Sequence, residues 1–255
     1  LMVISVPLVI LFLIDDIKDL KPHYRILFQC LVSVYMIYST GVYLESLGNL
    51  FGIGEISLGV FGIPFTVFCI VGVMNAYNMM DGINGLCSGC AMLALILIGF
   101  YSGLIYDSML VLIIGSIVEF FIFNMGLLGR KRGVFLGDSG SNLIGFWVAW
   151  IAIYASQHKT YYIEPITMLW FIAIPLLDCI GLIFQRIKKG KSWSTAGRDH
   201  IHHKLMRKYS SKNTLKLILT ITFLTGIIGI IIEKIAPSYI STLLFLIYGM
   251  VYYVL

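Results

Sequence analysis

The sequence predicts an all-α protein, a polytopic membrane helical bundle. Of its 255 residues, 59% are hydrophobic and 12% are charged, whereas soluble domains are about half apolar and a quarter charged. Long apolar runs fall at roughly 1–14, 26–44, 60–76, 90–105, 109–128, 141–157, 166–185, 215–232 and 239–255. The runs do not alternate polar and apolar residues as β-barrel strands do. We therefore expect about nine transmembrane segments in a single integral membrane domain covering residues 1–255.

The first apolar run is shorter than the others. Only residues 1–14 precede the acidic pair Asp15–Asp16, which is less than the ~20 residues that a spanning helix needs. The chain begins with leucine, and neither a charged region nor a cleavage site marks a signal peptide. We expect the first segment to be truncated and further helices to lie upstream of it.

The stretches that connect these runs differ in charge. If the runs alternate in direction, every lysine and arginine except Lys159 and Lys234 falls on one side of the membrane. Loops rich in these residues stay in the cytoplasm. The basic loops are therefore predicted to be cytoplasmic, and membrane lipids are their expected neighbours.

Six of the eight aspartates lie in these same loops, far apart in sequence. They are Asp15, Asp16, Asp19, Asp81, Asp138 and Asp199. Helix capping and loop solvation account for Asp19 and Asp199. The other four lie among apolar residues or glycines, where a carboxylate is costly without a partner. Mg²⁺ binds one or two carboxylates together with substrate phosphates, so these four indicate a magnesium-dependent site.

Two polar stretches surround the third and fourth of these aspartates. Residues 75–86 read N-A-Y-N-M-M-D-G-I-N-G-L, and a helical turn would align Asn78, Asp81 and Asn84 in one strip. An Asx-rich turn explains that pattern equally well. Residues 135–145 read F-L-G-D-S-G-S-N-L-I-G, and small residues at a helix start expose amides that bind phosphate. The G-D-S-G run also leaves an intramembrane serine protease as a weaker alternative.

The last large loop contains three of the five histidines within four residues, in G-R-D-H-I-H-H-K-L at 197–205. Arginine and histidine in a basic loop suit an anionic substrate, although chance clustering explains them too. Two acidic residues, Glu119 and Asp178, lie within predicted helices, where a carboxylate is a functional candidate. Pro175 is expected to kink the second of these helices. A membrane transporter of an anionic solute is therefore the main alternative function.

Four motifs together resemble one enzyme family. They are D-D-I-K-D-L at 15–20, the stretch 75–86, G-D-S-G-S at 137–141 and H-I-H-H at 200–203. In this order they are similar to the motifs of the polyprenyl-phosphate N-acetylhexosamine-1-phosphate transferases, and closer to the WecA type than to MraY. The resemblance implies transfer of a sugar 1-phosphate, most simply N-acetylglucosamine 1-phosphate. The donor would be a UDP-N-acetylhexosamine and the acceptor polyprenyl (undecaprenyl) phosphate, with release of UMP.

The resemblance also implies roles for single residues. Asp15 and Asp16 match the aspartate pair near the acceptor phosphate, and Asp81 and Asp138 complete the expected catalytic set. Asp138 matches the ligand of Mg²⁺, for which Mn²⁺ could substitute, with Asn78 and Asp81 close to it. The residues expected to bind substrate are Asn75, Asn84, Arg25, Lys18, Arg198, His200, His202 and His203. Asn84 departs from the family pattern, in which many bacterial members have aspartate, and this removes a negative charge.

The family further implies a multi-pass protein of the bacterial cytoplasmic (inner) membrane that initiates cell-envelope polysaccharide synthesis. A second copy of the chain is a candidate partner, as a homodimer, and nucleic acid is not. We expect direct in-line attack by the lipid phosphate, with Asp15 or Asp16 keeping it deprotonated. A covalent aspartyl intermediate is the competing mechanism.

Overall fold

The structure is a computed structural model that describes residues 2–18, 21–129, 134–190, 192 and 199–254. Within these ranges the regular elements are helical, apart from an isolated bridge between Ser46 and Ser57. The α-helices are α1 (Met2–Lys18), α2 (Pro22–Thr40), α3 (Gly62–Met80), α4 (Leu86–Ser102), α5 (Ser108–Asn124), α6 (Gly137–Gln157), α7 (Pro165–Phe171), α8 (Ala173–Lys188), α9 (Ile201–Met206), α10 (Ser211–Ile235) and α11 (Ser238–Val254). The predicted all-α class is confirmed.

Local sequence sets several helix ends. Pro22 lies in the first turn of α2, where its missing N–H costs nothing, and Gly41 ends the helix with a left-handed φ of 70°. The Asp107 side chain accepts hydrogen bonds from two backbone amides at the start of α5. Ser210 caps α10 in the same way. Such caps satisfy amides that have no partner within the helix.

Three predicted loops are shorter than the sequence suggested. α1 extends beyond Asp15–Asp16, α3 extends to Met80, and α6 begins before Asp138. The helical strip predicted for the stretch 75–86 is wrong, because α3 ends before two of its three members. The polar motifs therefore lie in the terminal turns of helices, where the backbone is fixed, rather than in long loops.

Nine transmembrane segments stay a prediction. Each predicted apolar run corresponds to one helix or, for the seventh, to the pair α7 and α8. Of the described residues, Gly59–Met80 and Ser211–Ile235 are long and apolar enough to cross a membrane, and α7–α8 is a third if the pair forms one span. Helices α4, α5 and α11 are apolar but have 17 residues each. That length gives ~25 Å, slightly less than the ~30 Å hydrocarbon core.

Helices α7 and α8 meet at an 85° bend around Ile172. Pro175 lies one turn further on and has no N–H to donate to the carbonyl of Phe171. One of the hydrogen bonds that would continue α7 into α8 is therefore missing. The predicted kink in this segment is confirmed.

Helix α3 lies at the centre of the bundle and packs most extensively against α6. The two backbones approach closely at Gly145, where a Cβ atom would lie 2.7 Å from the Cα of Met74. Small residues permit this kind of contact between membrane helices. Tyr77 and Phe146 are fully buried beside it. The pairing brings the C-terminal end of α3 next to the N-terminal end of α6.

Apolar side chains also cover the outside of the bundle. On α11 the exposed ones include Leu243, Leu246, Ile247, Met250 and Val254. Soluble monomers rarely expose a continuous apolar face of this kind, whereas lipid tails solvate it. The exposed faces therefore support a membrane setting.

Candidate active site

Several helix ends meet at one end of the bundle and bring polar side chains together. α1 and α3 end there, whereas α2 and α6 begin there, because neighbouring helices run antiparallel. The side chains brought together include Asp15, Asp16, Arg25, Asn78 and Asp138. The sequence predicted each of them as a site residue.

Arg25 joins two of the predicted catalytic aspartates. Its Nε lies 3.0 Å from Oδ1 and 2.7 Å from Oδ2 of Asp15. Its Nη1 donates to Oδ2 of Asp138 at 2.8 Å. The Asp15 side chain is fully buried, whereas those of Arg25 and Asp138 are 28% and 38% exposed. One planar guanidinium therefore holds a carboxylate from α1 and another from α6. Its positive charge offsets the cost of burying the Asp15 carboxylate.

Asp16 caps the start of α6 from a different helix. Leu136, the residue before α6, has no side chain that can cap it. Instead, Asp16 Oδ1 accepts from the Asp138 amide at 3.1 Å, and Oδ2 accepts from the Ser139 amide at 3.4 Å and its hydroxyl at 2.8 Å. A carboxylate is favourable there because of the helix dipole. In the structure Asp16 caps the amides that the sequence predicts to bind phosphate, and their binding of phosphate stays a prediction.

The two serines of the G-D-S-G-S motif both form hydrogen bonds close to Asp138. Asn78 Nδ2 donates to Asp138 Oδ1 at 3.2 Å and to Ser141 Oγ at 3.0 Å. Ser141 Oγ donates to the carbonyl of Gly137, and Ser139 Oγ donates to a carboxylate. Among the described residues neither serine hydrogen-bonds to a histidine, the usual base of a serine nucleophile, so these contacts do not support the protease alternative.

An amide chain that sequence reasoning missed lies beneath Asp138. Gln29 on α2 is buried, its Nε2 donates to Asn142 Oδ1 at 2.7 Å, and its Oε1 accepts from Asn75 Nδ2 at 2.9 Å. Asn142 Nδ2 then donates to the carbonyl of Asp138 at 2.7 Å. The chain links α2, α3 and α6, and its sequence signal was a glutamine inside the apolar run 26–44. Asn75 uses its amide nitrogen here, so a contact with substrate would use its carbonyl oxygen.

Asp81 follows α3 directly and remains accessible to solvent. Surrounding protein atoms partly desolvate its carboxyl, and the negative charge of Asp138 adds to this effect. Together they raise the pKa of Asp81 to about 6. Carboxylate and amide oxygens of Asp81, Asp138 and Asn78 are ligands of the kind that Mg²⁺ takes. Of the residues that the structure describes, no three His, Cys, Asp or Glu side chains form a metal-binding group.

The three histidines form a second polar cluster at the same end. The ring centroids of His200 and His202 are 5.3 Å apart, and those of His202 and His203 are 4.2 Å apart. His202 is 1% exposed, and within the described residues neither ring nitrogen has a hydrogen-bond partner. Burial, followed by the neighbouring His203 and His200, lowers the pKa of His202 to about 4. His202 is therefore neutral near pH 7.

Asp178 fixes the position of His200. Its Oδ2 lies 2.8 Å from His200 Nδ1, and its Oδ1 accepts from the Ile201 amide at 2.9 Å and the Tyr252 hydroxyl at 3.2 Å. A carboxylate beside one imidazole nitrogen fixes the ring tautomer and orientation. Glu119, the other predicted intrahelical acid, is exposed on α5. The structure thus shows that Asp178 has hydrogen-bond partners and that Glu119 faces outward, a difference that the sequence alone did not reveal.

The turn 81–85 connects the two polar clusters. Asp81 lies near Asp138, and Gly82 is in contact with the His202 ring, which leaves no room for a Cβ atom. Asn84 is exposed in the same turn, and Lys18 is exposed at the end of α1. Of the other predicted residues, Arg198 and Asp19 lie outside the described residues.

Known proteins with similar sequences belong to the enzyme family that the four motifs resemble. The family model for glycosyl transferase family 4 matches residues 1–156. An undecaprenyl-phosphate alpha-N-acetylglucosaminyl 1-phosphate transferase of Yersinia pestis is 39% identical over 249 residues, which cover 94% of this chain and 67% of the relative. The enzyme of the same name from Escherichia coli K12 is 37% identical over 246 residues, covering 94% and 67%. That from Haemophilus influenzae is 36% identical over 230 residues, covering 87% and 64%.

The chain spans about two thirds of the length of these relatives. The resemblance seen in the four motifs, to polyprenyl-phosphate N-acetylhexosamine-1-phosphate transferases of the WecA type, is confirmed. Because the family model covers more than half of the residues and the relatives align with most of them, this chain belongs to glycosyl transferase family 4.

Proposed function

We propose that this chain transfers N-acetylglucosamine 1-phosphate from UDP-N-acetylglucosamine to undecaprenyl phosphate and releases UMP. The observation that carries the proposal is the cluster of Asp15, Asp16, Arg25, Asn78 and Asp138 at one end of an apolar bundle. A lipid phosphate and a soluble nucleotide can meet only at a membrane boundary. The names of the relatives support this sugar and this lipid.

Mg²⁺ is the proposed cofactor, with Mn²⁺ as a substitute, and Asp138, Asp81 and Asn78 would hold it. The support is electrostatic, because burial and then the charge of Asp138 raise the pKa of Asp81, and a hard cation would relieve the repulsion between the two carboxylates. When bound, the cation would offset the negative charge of the diphosphate and of departing UMP.

Asp16 is the better candidate of the aspartate pair to face the acceptor. Asp15 is buried against Arg25, whereas Asp16 is exposed. A lipid-phosphate oxygen would attack the β-phosphorus of the donor, the bond to the bridging oxygen would break, and UMP would leave with that oxygen. Asp16 would keep the acceptor deprotonated. If it turns toward the acceptor, the capped amides of Asp138 and Ser139 become available to phosphate oxygens.

Experiments can distinguish direct attack by the lipid phosphate from a mechanism with a covalent aspartyl intermediate. In that mechanism the Asp16 carboxylate would itself attack the β-phosphorus. Recovery of a sugar phosphate bound to Asp16 after acid quench would refute direct attack. Inversion of configuration at the β-phosphorus, measured with a chiral thiophosphate donor, is expected for a single in-line displacement.

The substrate-binding proposal for the histidine cluster rests on its position. Asp178 holds His200 at Nδ1, so Nε2 is the nitrogen that substrate could reach. His202 is covered by Gly82, and contact between His202 and substrate would require the turn 81–85 to shift. Lys18 and Asn84 are exposed beside the cluster of carboxylates and would bind the nucleotide from the solvent side.

We further propose that the site faces the cytoplasm of a bacterial inner membrane. If the apolar segments alternate in direction, all lysines and arginines of the sequence except Lys159 and Lys234 fall on the side of the membrane that carries the site motifs, and stretches rich in these residues stay in the cytoplasm. A cytoplasmic site would give access to UDP-sugars. Labelling of single cysteines placed in the turn 81–85 and in the loop 158–164 would test this orientation from either side of sealed vesicles.

UMP release from the protein purified in detergent tests the activity. The substrates are undecaprenyl phosphate and UDP-N-acetylglucosamine, with and without Mg²⁺. Asp138→Asn should lower the rate about 10²–10³-fold, the usual loss when one electrostatic contact to a transferring group is removed. Asp107→Asn is the matched control, because this aspartate caps α5 at the other end of the bundle and asparagine caps equally well.

The UMP-release assay has three informative outcomes. Magnesium-dependent release that Asp138→Asn loses and Asp107→Asn keeps supports the transferase and its metal site. Release that persists in Asp138→Asn overturns the metal assignment alone. If no UDP-N-acetylhexosamine yields UMP, the proposed activity is wrong and solute transport becomes the hypothesis to test.

A further inference from the structure

A second polar cavity lies at the end of the bundle opposite the candidate active site. It has a volume of about 250 Å³, is open to one side, and lies where α10 ends and where α7 and α11 begin. Its polar lining consists of Glu164, Thr167, Glu233, Ser238 and Ser241. None of these residues belongs to the four motifs, and the transferase proposal assigns them no role.

Three oxygen atoms in this lining are buried without a hydrogen-bond partner. They are Glu164 Oε2, Thr167 Oγ1 and Glu233 Oε2. Thr167 is fully buried, and its hydroxyl lies next to the Glu233 carboxyl. Buried polar atoms without partners are rare in native proteins, and each calls for a physical explanation.

The two glutamates are held together although they carry like charges. The Glu164 amide donates to Glu233 Oε1 at 3.2 Å, and the two carboxyl groups lie close enough for their charges to repel each other. Lys234 follows Glu233 in sequence, but its ammonium nitrogen lies over the Tyr101 ring, 5.6 Å from the centroid. The adjacent cation is thus directed to an aromatic ring rather than to the carboxylate pair.

We propose that this cavity binds a hard divalent cation, with Ca²⁺ as the best fit. Two carboxylates and three hydroxyl groups supply oxygen ligands only, and Ca²⁺ takes six to eight oxygens in flexible geometry. Glu164 and Glu233 are partly accessible, so an ion can enter. The bound cation would connect the start of α7 to the end of α10 and would thereby stabilise the bent pair α7–α8. This site is independent of the transferase reaction.

Terbium luminescence offers a direct test in the protein purified in detergent without substrates. Trp170 Nε1 donates to Ser241 Oγ at 3.0 Å, so the indole lies close enough to sensitise Tb³⁺ in the cavity. We expect saturable emission on indole excitation and its displacement by Ca²⁺. Glu233→Gln should raise the half-saturating Tb³⁺ concentration about tenfold or more, because affinity follows the ligand charge. Glu45→Gln, an exposed carboxylate at the same end, should leave it unchanged.

Thermal unfolding shows whether the variants fold. In EDTA, Glu233→Gln should be at least as stable as the unchanged protein, because one of two repelling carboxylates is gone. Ca²⁺ should then raise the thermal midpoint of the unchanged protein and not that of the variant. Thr167→Val, which keeps the side-chain shape, should weaken Tb³⁺ binding by a smaller factor.

Two results would overturn the proposal. Equal Tb³⁺ emission from the unchanged protein and from Glu233→Gln would place the bound ion elsewhere. Stabilisation by methylammonium but not by Ca²⁺ would assign the cavity to an organic cation. Neither result depends on UMP release, so failure of this proposal and failure of the transferase proposal are distinguishable.

Discussion

Replacing Arg25 tests how the candidate active site is held together. Its guanidinium spans Asp15, whose side chain is fully buried, and Asp138, which is 38% exposed. Arg25→Met removes this cation from both carboxylates. Breaking a buried ion pair from one side costs ~3–5 kcal/mol, whereas the exposed pair contributes ~0–1 kcal/mol. The loss should therefore be about 3–5 kcal/mol and should arise mainly at Asp15.

Arg25→Lys should cost less, about 1–3 kcal/mol, because an ammonium keeps the charge but cannot bridge two carboxylates in a plane. For a chain of this size 1 kcal/mol corresponds to ~2–4 °C in thermal midpoint. Arg25→Met should thus lower the midpoint by roughly 6–20 °C. Intrinsic tryptophan fluorescence during heating in detergent measures it, and Lys212→Met, an exposed cation on α10, is the control.

Removing the buried charge of Asp15 should offset the loss of Arg25. If the cost comes from a buried carboxylate that has lost its cation, then Asp15→Asn should recover most of the stability lost in Arg25→Met. A double variant as unstable as Arg25→Met would refute this reasoning and would assign the loss to packing of the arginine side chain. The comparison uses stability alone, since Asp15 is itself a proposed site residue.

Three further predictions concern the histidine cluster. Gly82→Ala should destabilise the protein by ~1–3 kcal/mol and slow UMP release, because the new methyl group meets the His202 ring. Gly72→Ala, where nothing lies within 4 Å, should do neither, and equal effects would contradict the packing argument. Because the pKa of His202 is about 4 in the folded protein against an ordinary 6.5, the unfolded chain takes up this proton first. Stability should fall as the pH drops from 6.5 to 4, by about 3 kcal/mol, and a His202→Gln variant should lack that component of the pH dependence. Asp178→Asn should slow UMP release about 10- to 100-fold, because it removes a charge-assisted contact of ~1.5–3 kcal/mol to His200. An unchanged rate would show that this contact does not position the imidazole for transfer.

The helix ends show where sequence reasoning was accurate and where it failed. The apolar runs located the helices because hydrophobicity is a property of each segment. The predicted end at residue 14 came too early and the predicted start at residue 141 came too late, since a helix continues through polar residues as long as its backbone hydrogen bonds form. Asp16 capping α6 could not be predicted, because the cap comes from another helix rather than from residue 136.

The composition and the order of four motifs were sufficient to predict an all-α membrane protein and its transferase family. Both depend on residue types along the chain, which need no knowledge of contacts. Tertiary structure decided which groups are partnered, because packing joins residues that are distant in sequence, such as Arg25 and Asp138, separated by 113 positions. It buried Asp15 and left Asp16 exposed, although the two are adjacent in sequence. It also brought Glu164 and Glu233 together at the opposite end of the bundle, where neither residue lies in a recognisable motif.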